Sequence, residues 1–197
     1  MGNLQLYELI NASPGAGAAQ LAFAIAVAQW LIYVVPAAMV LAWMRAGTGL
    51  RRDLLQLLLA AVLALALAQL VVHLWPQPRP FALHLGTQYL PHGADPGLPS
   101  DHVTVFWSLG IAALGIRRLA VWGLPLLAAG LLVGWSRIYL GVHFPFDILA
   151  ALPVAAIGAA ASRALRKPMA PLVAWLLCTY DRSQKAVWSR LRPSPRD

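Results

Sequence analysis

The sequence predicts an all-α, polytopic helical membrane protein with about five transmembrane helices and short interfacial helices at its N- and C-terminal ends. Three observations carry this. Of the 197 residues, 60% are hydrophobic and only 11% charged, against roughly 25% charged in ordinary soluble domains. The mean hydropathy is strongly positive. The apolar residues gather into runs close to the length of about 20 that crosses a hydrocarbon core. The single cysteine, Cys178, excludes an internal disulfide framework, and nothing beside it marks a metal site. In so apolar a chain, the net charge of +8 marks a cytoplasmic membrane surface rather than a nucleic-acid partner.

The opening LQLYELI precedes a helix-stopping NASPG and reads as an interfacial or re-entrant segment. Residues 18–44 form the first span, interrupted by Pro36, and 53–75 the second. Residues 101–116 and 119–136 are joined so tightly through Arg117 and Arg118 that they form an antiparallel hairpin. The fifth span runs over 146–165. The run 170–180 is too short to span and is followed by Asp181, Arg182, Lys185, Arg190 and Arg192, the pattern of an interfacial helix with a basic face. The chain thus divides into a membrane-embedded domain, 1–167, and a basic amphipathic segment, 168–197, at the cytoplasmic surface. No basic residue precedes Arg45, so no secretory signal peptide is expected.

Short cytoplasmic loops collect Lys and Arg. Thirteen of the 15 basic residues fall between spans one and two, between spans three and four, or from the end of span five onward. The exceptions, Arg79 and Arg137, share the opposite, outer side with all five histidines: His73, His84, His92, His102 and His143. His84 and His92 read as ordinary polar loop residues. The remaining outer residues form a pattern. Residues 76–99 make a loop longer than most connections in compact domains, which marks a functional segment. It carries PRPF around Arg79 and ends in LPSDH, where Ser100 is suited to cap the next helix and His102 falls in its first turn. A helix start, with unpaired N–H groups and the positive end of the dipole, suits an anion such as phosphate. The second outer connection, SRIYLGVHFPFD, holds Arg137, whose fork of donors matches phosphate oxygens. In it, His143 and Asp147 stand one helical turn apart, close enough for the carboxylate to orient the imidazole. Within the spans, Gln29, Gln56 and Gln69 either line a substrate groove or bond between helices.

Taken together, Arg79-Pro80, Ser100 with His102, and Arg137 with His143 and Asp147 resemble the three signature segments of the type 2 phosphatidic acid phosphatase superfamily. Those segments are K-x6-R-P, P-S-G-H and S-R-x5-H-x3-D, in this order, and the third matches completely. The LPSDH form, the short chain and the HFPFD ending look like bacterial undecaprenyl diphosphate phosphatases of the bacitracin-resistance type. Two positions depart from the pattern: the motif lysine is Val72, with His73 adjacent, and the motif glycine is Asp101.

The resemblance implies a phosphatase of the inner membrane, its site on the periplasmic or extracellular side, that converts undecaprenyl diphosphate to the monophosphate. His143 would be the nucleophile, Asp147 its orienting carboxylate and His102 the general acid and then base. Arg79, Arg137 and Ser100 would bind phosphate, with Asp101 reaching a substrate hydroxyl or a partner arginine. No metal or other cofactor is needed on this scheme. The partners are a lipid diphosphate and the bilayer. The headgroup motifs leave open other lipid phosphates, such as phosphatidic acid, phosphatidylglycerol phosphate or a lipid A phosphate. A non-enzymatic lipid-phosphate-binding protein is the third reading, although it would have no use for both histidines and the aspartate.

Overall fold

The computed structural model describes residues 2–191, with side chains to 185, and among these no strand occurs. The helices are α1 (Asn3–Ile10), α2 (Ala18–Arg45), α3 (Thr48–Leu74), α4 (Asp101–Leu114), α5 (Gly123–Tyr139), α6 (Pro145–Leu165) and α7 (Ala170–Leu191). Single 3-10 turns cover Pro80–Leu83 and Ala120–Trp122. The fold class is the predicted one, an all-helical membrane protein.

Among the described residues four helices are long and apolar enough to cross a membrane: α2, α3, α5 with its preceding turn, and α6. The fifth, α4, has only 14 residues, about 21 Å at 1.5 Å per residue, against a hydrocarbon core of about 30 Å. It is packed against α3, α5 and α6, and Val103, Thr104, Leu109 and Ala112 are buried on its different sides. A helix walled by other helices does not have its length set by the lipid. By contrast α2 continues unbroken through Pro36. Large apolar side chains such as Phe23, Val34, Val62, Leu149 and Ile157 remain exposed on the outer helices, the surface expected of a chain dissolved in lipid rather than water.

Small residues let the helices approach closely. Ala60, Ala64 and Ala68 are fully buried along α3, and a Cβ added to Gly158 of α6 would lie 2.7 Å from the Ala64 nitrogen. The tight connections between α2 and α3, and between α4 and α5, collect Arg45, Arg51, Arg117 and Arg118 at one end of the bundle. There α7 is tethered: Arg51 pairs with Asp181 at 2.7 Å and lies over the Trp43 and Tyr180 rings. Arg192, and the side chain of Arg190, which complete the expected basic face, lie outside the described residues.

The opposite end is built from the long loop between α3 and α4, the loop between α5 and α6, and α1. Asn11 clamps these together, donating from Nδ2 to the carbonyls of Thr87 (3.0 Å) and Tyr139 (3.2 Å) while its Oδ1 accepts from Thr87 N at 2.8 Å. Tyr7 donates to the Leu85 carbonyl, and Asn3 Oδ1 accepts from Phe146 N at the start of α6. The N-terminal segment therefore lies across the loop end of the bundle.

Candidate active site

His143 owes its place to a chain reversal. After α5 ends, Gly141 adopts φ +79°, a left-handed conformation that glycine takes without penalty. The chain folds back so that Val142 N and His143 N both donate to the Arg137 carbonyl, at 2.9 and 3.3 Å. Two residues later α6 begins with Pro145 at its first turn, where a missing N–H costs nothing. Asp147 Oδ2 accepts the Phe144 amide at 2.9 Å and faces His143 Nδ1 at 3.2 Å. One carboxylate thus caps the helix and orients the imidazole.

The tautomer follows from the other ring nitrogen. Arg79 Nη1 lies 3.0 Å from His143 Nε2. A guanidinium can only donate, so Nε2 presents its lone pair and the proton resides on Nδ1, directed at Asp147. Burial, then the charges of Arg137 and Arg79, hold His143 well below its ordinary pKa of 6.5. It is a neutral imidazole whose Nε2 electron pair meets the Arg79 guanidinium.

Around it lies a cavity of about 180 Å³ lined by Gln69, Val72, Arg79, His92, Asp95, Pro96, Pro99, Asp101, His102, Arg137 and His143. Of the seven residues singled out from the sequence, Arg79, Asp101, His102, Arg137 and His143 line it, Asp147 supports His143 from behind, and Ser100 starts α4 at its edge. The hydroxyl of Ser100 does not cap the helix as expected: its side chain makes no cap hydrogen bond. Instead Ser100 N donates to the Asp147 carbonyl at 3.1 Å, fixing α4 to α6, while Ser100 Oγ is buried without a partner. Arg137, 3% exposed, likewise has its Nε unpartnered among the described residues. A buried donor without a partner is costly unless a ligand satisfies it. A cationic fork, a hydroxyl and the free amides of a helix start together complement a tetrahedral oxyanion.

The departures from the family pattern are resolved locally. Val72 lines the cavity, and the adjacent His73 is exposed and does not. One turn earlier, Gln69 enters the cavity and donates from Nε2 to both Asp101 oxygens, at 3.3 and 3.2 Å. The two unexpected residues thus meet each other, and Gln69 does both things open to it, lining the cavity and bonding between α3 and α4.

Reading the sequence also missed three contributors. His92, taken as an ordinary loop residue, lines the cavity. Asp95 forms an ion pair with Arg79 at 2.9 Å. Gly97 touches the dyad: a Cβ there would stand 3.1 Å from both Asp147 Oδ2 and Arg79 Cγ. Only the HGADPG composition, two polar residues beside the LPSDH segment, pointed that way.

Fold and site together define a multi-pass helical membrane protein with an oriented histidine in a cavity lined by two arginines. The chain belongs to the PAP2 superfamily, whose family model matches residues 53–168, and so is a membrane phosphatase by family. It is 36% identical over 168 residues to the YbjG protein of Escherichia coli (strain K12), covering 85% of this chain and 84% of that one. It is 37% identical over 115 residues, 58% of each chain, to the undecaprenyl-diphosphatase BcrC of Bacillus subtilis (strain 168). Among solved structures it is similar to Aquifex aeolicus LpxE, with a TM-score of 0.67 at 24% identity over 81% of this chain and 93% of that one, a likeness of fold. The resemblance drawn from the motifs is thereby borne out.

Proposed function

We propose that the protein hydrolyses undecaprenyl diphosphate to undecaprenyl phosphate and inorganic phosphate through a phosphohistidine, at the periplasmic or extracellular face of the inner membrane. The observation that carries this reading is His143 itself, Nε2 lone pair in an oxyanion pocket and Nδ1 on Asp147. The relative BcrC, named an undecaprenyl-diphosphatase, supports the choice of lipid.

The geometry supports a two-step chemistry. His143 Nε2 attacks the terminal phosphorus, forming a P–N bond as the P–O bond to the lipid phosphate breaks. Asp147 stabilises the imidazolium that results. His102, at the start of α4, delivers a proton to the departing oxygen and then takes one from the water that cleaves the phosphohistidine. Arg137, Arg79, the Ser100 hydroxyl and the α4 amides hold the equatorial oxygens, and such positioning with charge stabilisation supplies most of the catalysis in phosphoryl transfer. With two guanidinium groups meeting the phosphate charge, the scheme routes no step through a metal.

The test is phosphate release by purified protein from a panel of undecaprenyl diphosphate, phosphatidic acid, phosphatidylglycerol phosphate and a lipid A phosphate, in the presence of chelator. Undecaprenyl diphosphate is the expected best substrate, and His143→Ala is expected to lose activity by several orders of magnitude. Equal or better hydrolysis of phosphatidic acid sinks the substrate assignment, and an active His143→Ala sinks the mechanism.

A further inference from the structure

Arg79 is unusual in having every donor engaged. Its Nε donates to the Asp95 carbonyl at 2.8 Å. Its Nη2 donates to Asp95 Oδ2 at 2.9 Å and to the Pro96 carbonyl at 3.4 Å. Its Nη1 donates to the Val142 carbonyl at 3.3 Å and to His143 Nε2 at 3.0 Å. A guanidinium has five N–H donors, so all are taken, and one of them covers the electron pair of the nucleophile. Attack on phosphorus requires that donor to move from His143 to a phosphate oxygen. The rest of the fork must stay where it is.

We infer that Asp95, in the loop between α3 and α4, is a positioning residue: it grips Arg79 on two sides so that only the Nη1 edge exchanges between His143 and the substrate phosphate. This rests on the reading of His143 as the nucleophile. Asp95 lies 16 residues from Arg79 in sequence and outside every motif segment, yet it takes both Nε and Nη2 through its main-chain and side-chain oxygens. Burial acts to raise the Asp95 pKa, but the Arg79 hydrogen bond and charge outweigh it and hold the carboxyl below its ordinary range, so it is an anion at neutral pH. His92 stands on the other carboxylate oxygen at 3.4 Å while its Nδ1 donates to the Gly93 carbonyl at 3.1 Å. Gly97, two residues beyond Asp95, packs against Arg79 and the dyad.

The Asp95 side chain is 59% exposed and that of Arg79 6%. An ion pair with one partner so exposed adds little to stability, so its contribution is geometric. An arginine that loses this grip by an ångström would cost about 100-fold in rate.

The experiment is a double-mutant cycle on full-length protein in detergent, using Asp95→Ala, Arg79→Ala and the pair. Two readouts are taken: hydrolysis of undecaprenyl diphosphate, and binding of inorganic orthovanadate followed by thermal shift, which needs no turnover. Asp95→Ala is expected to lower kcat/KM about 100-fold and to weaken vanadate binding, with an unchanged melting temperature in the absence of ligand. In the Arg79→Ala background, the same substitution is expected to add nothing, because Asp95 acts only through Arg79. Asp95→Glu, which keeps the carboxylate, should recover part of both readouts.

Full additivity of the two substitutions, or wild-type vanadate binding by Asp95→Ala, overturns the inference. Absence of undecaprenyl diphosphate hydrolysis by wild type, with vanadate binding still non-additive between Arg79 and Asp95, sinks the substrate assignment and leaves the positioning role standing.

Discussion

His143 responds to acid in a way that its surroundings dictate. Its pKa in the fold lies well below the ordinary 6.5, so between the two values the unfolded chain binds a proton that the folded chain refuses. Stability then rises with pH across that window. The contribution is complete above about 6.5 and is lost as the pH falls toward the folded value, by up to about 1.4 kcal/mol per pH unit. Thermal unfolding in detergent of wild type and His143→Gln should therefore diverge between pH 7.5 and 5, wild type losing more of its melting temperature as the pH falls. Identical slopes in the two proteins would contradict a buried neutral imidazole. A second residue-scale prediction concerns Gly97. The Cβ of Gly97→Ala would press at 3.1 Å on Asp147 Oδ2 and Arg79 Cγ, forcing shifts of a few tenths of an ångström. Turnover should drop roughly tenfold, less than the ~100-fold of a 1 Å misplacement, while the melting temperature changes little; unaltered kinetics would remove Gly97 from the site. The His143 and Asp147 pairing was legible in the sequence because four residues is one helical turn and Pro145 marks the helix start. The Arg79 and Asp95 pairing was not, because loop residues 16 apart obey no period and a carbonyl acceptor leaves no trace in composition.

At the scale of elements, apolar run length located the membrane helices to within a few residues, since bilayer thickness sets that length directly. It failed to distinguish α4. A 14-residue helix enclosed by protein is as apolar as a lipid-facing one, and the sequence carries no sign of which neighbour covers it. Nor did hydropathy indicate which helices touch. The contact of α3 with α6 is set by small residues, and Gly158 leaves no room for a side chain: a Cβ there would lie 2.7 Å from the Ala64 nitrogen and 2.8 Å from its Cα. Backbone cannot move aside as a side-chain tip can. Gly158→Ala should separate the two helices and cost about 1–3 kcal/mol, the usual penalty of overpacking, seen as a lower melting temperature. Since α6 also carries Asp147 at its far end, some loss of activity should follow. A variant as stable as wild type would mean that the helices pass at a greater distance than the structure gives.

For the whole molecule, the separation of charge is the feature that predicts an orientation. Arg45, Arg51, Arg52, Arg117, Arg118, Arg163, Arg166 and Lys167 gather at one end of the bundle, and the cavity with its histidines opens at the other. A basic end is expected in the cytoplasm by the usual bias of membrane proteins; on the proposed function the cavity then faces outside, where a lipid diphosphate headgroup in the outer leaflet would reach His143 without leaving the bilayer surface. The native Cys178 is replaced by serine so that single cysteines can report. Ala94→Cys, exposed in the loop between α3 and α4, is then expected to react with a membrane-impermeant maleimide on intact cells. Arg117→Cys, in the turn between α4 and α5, should react only after the membrane is permeabilised. The reverse pattern would place the cavity in the cytoplasm and leave it facing the wrong leaflet for recycling a carrier lipid on the outer face.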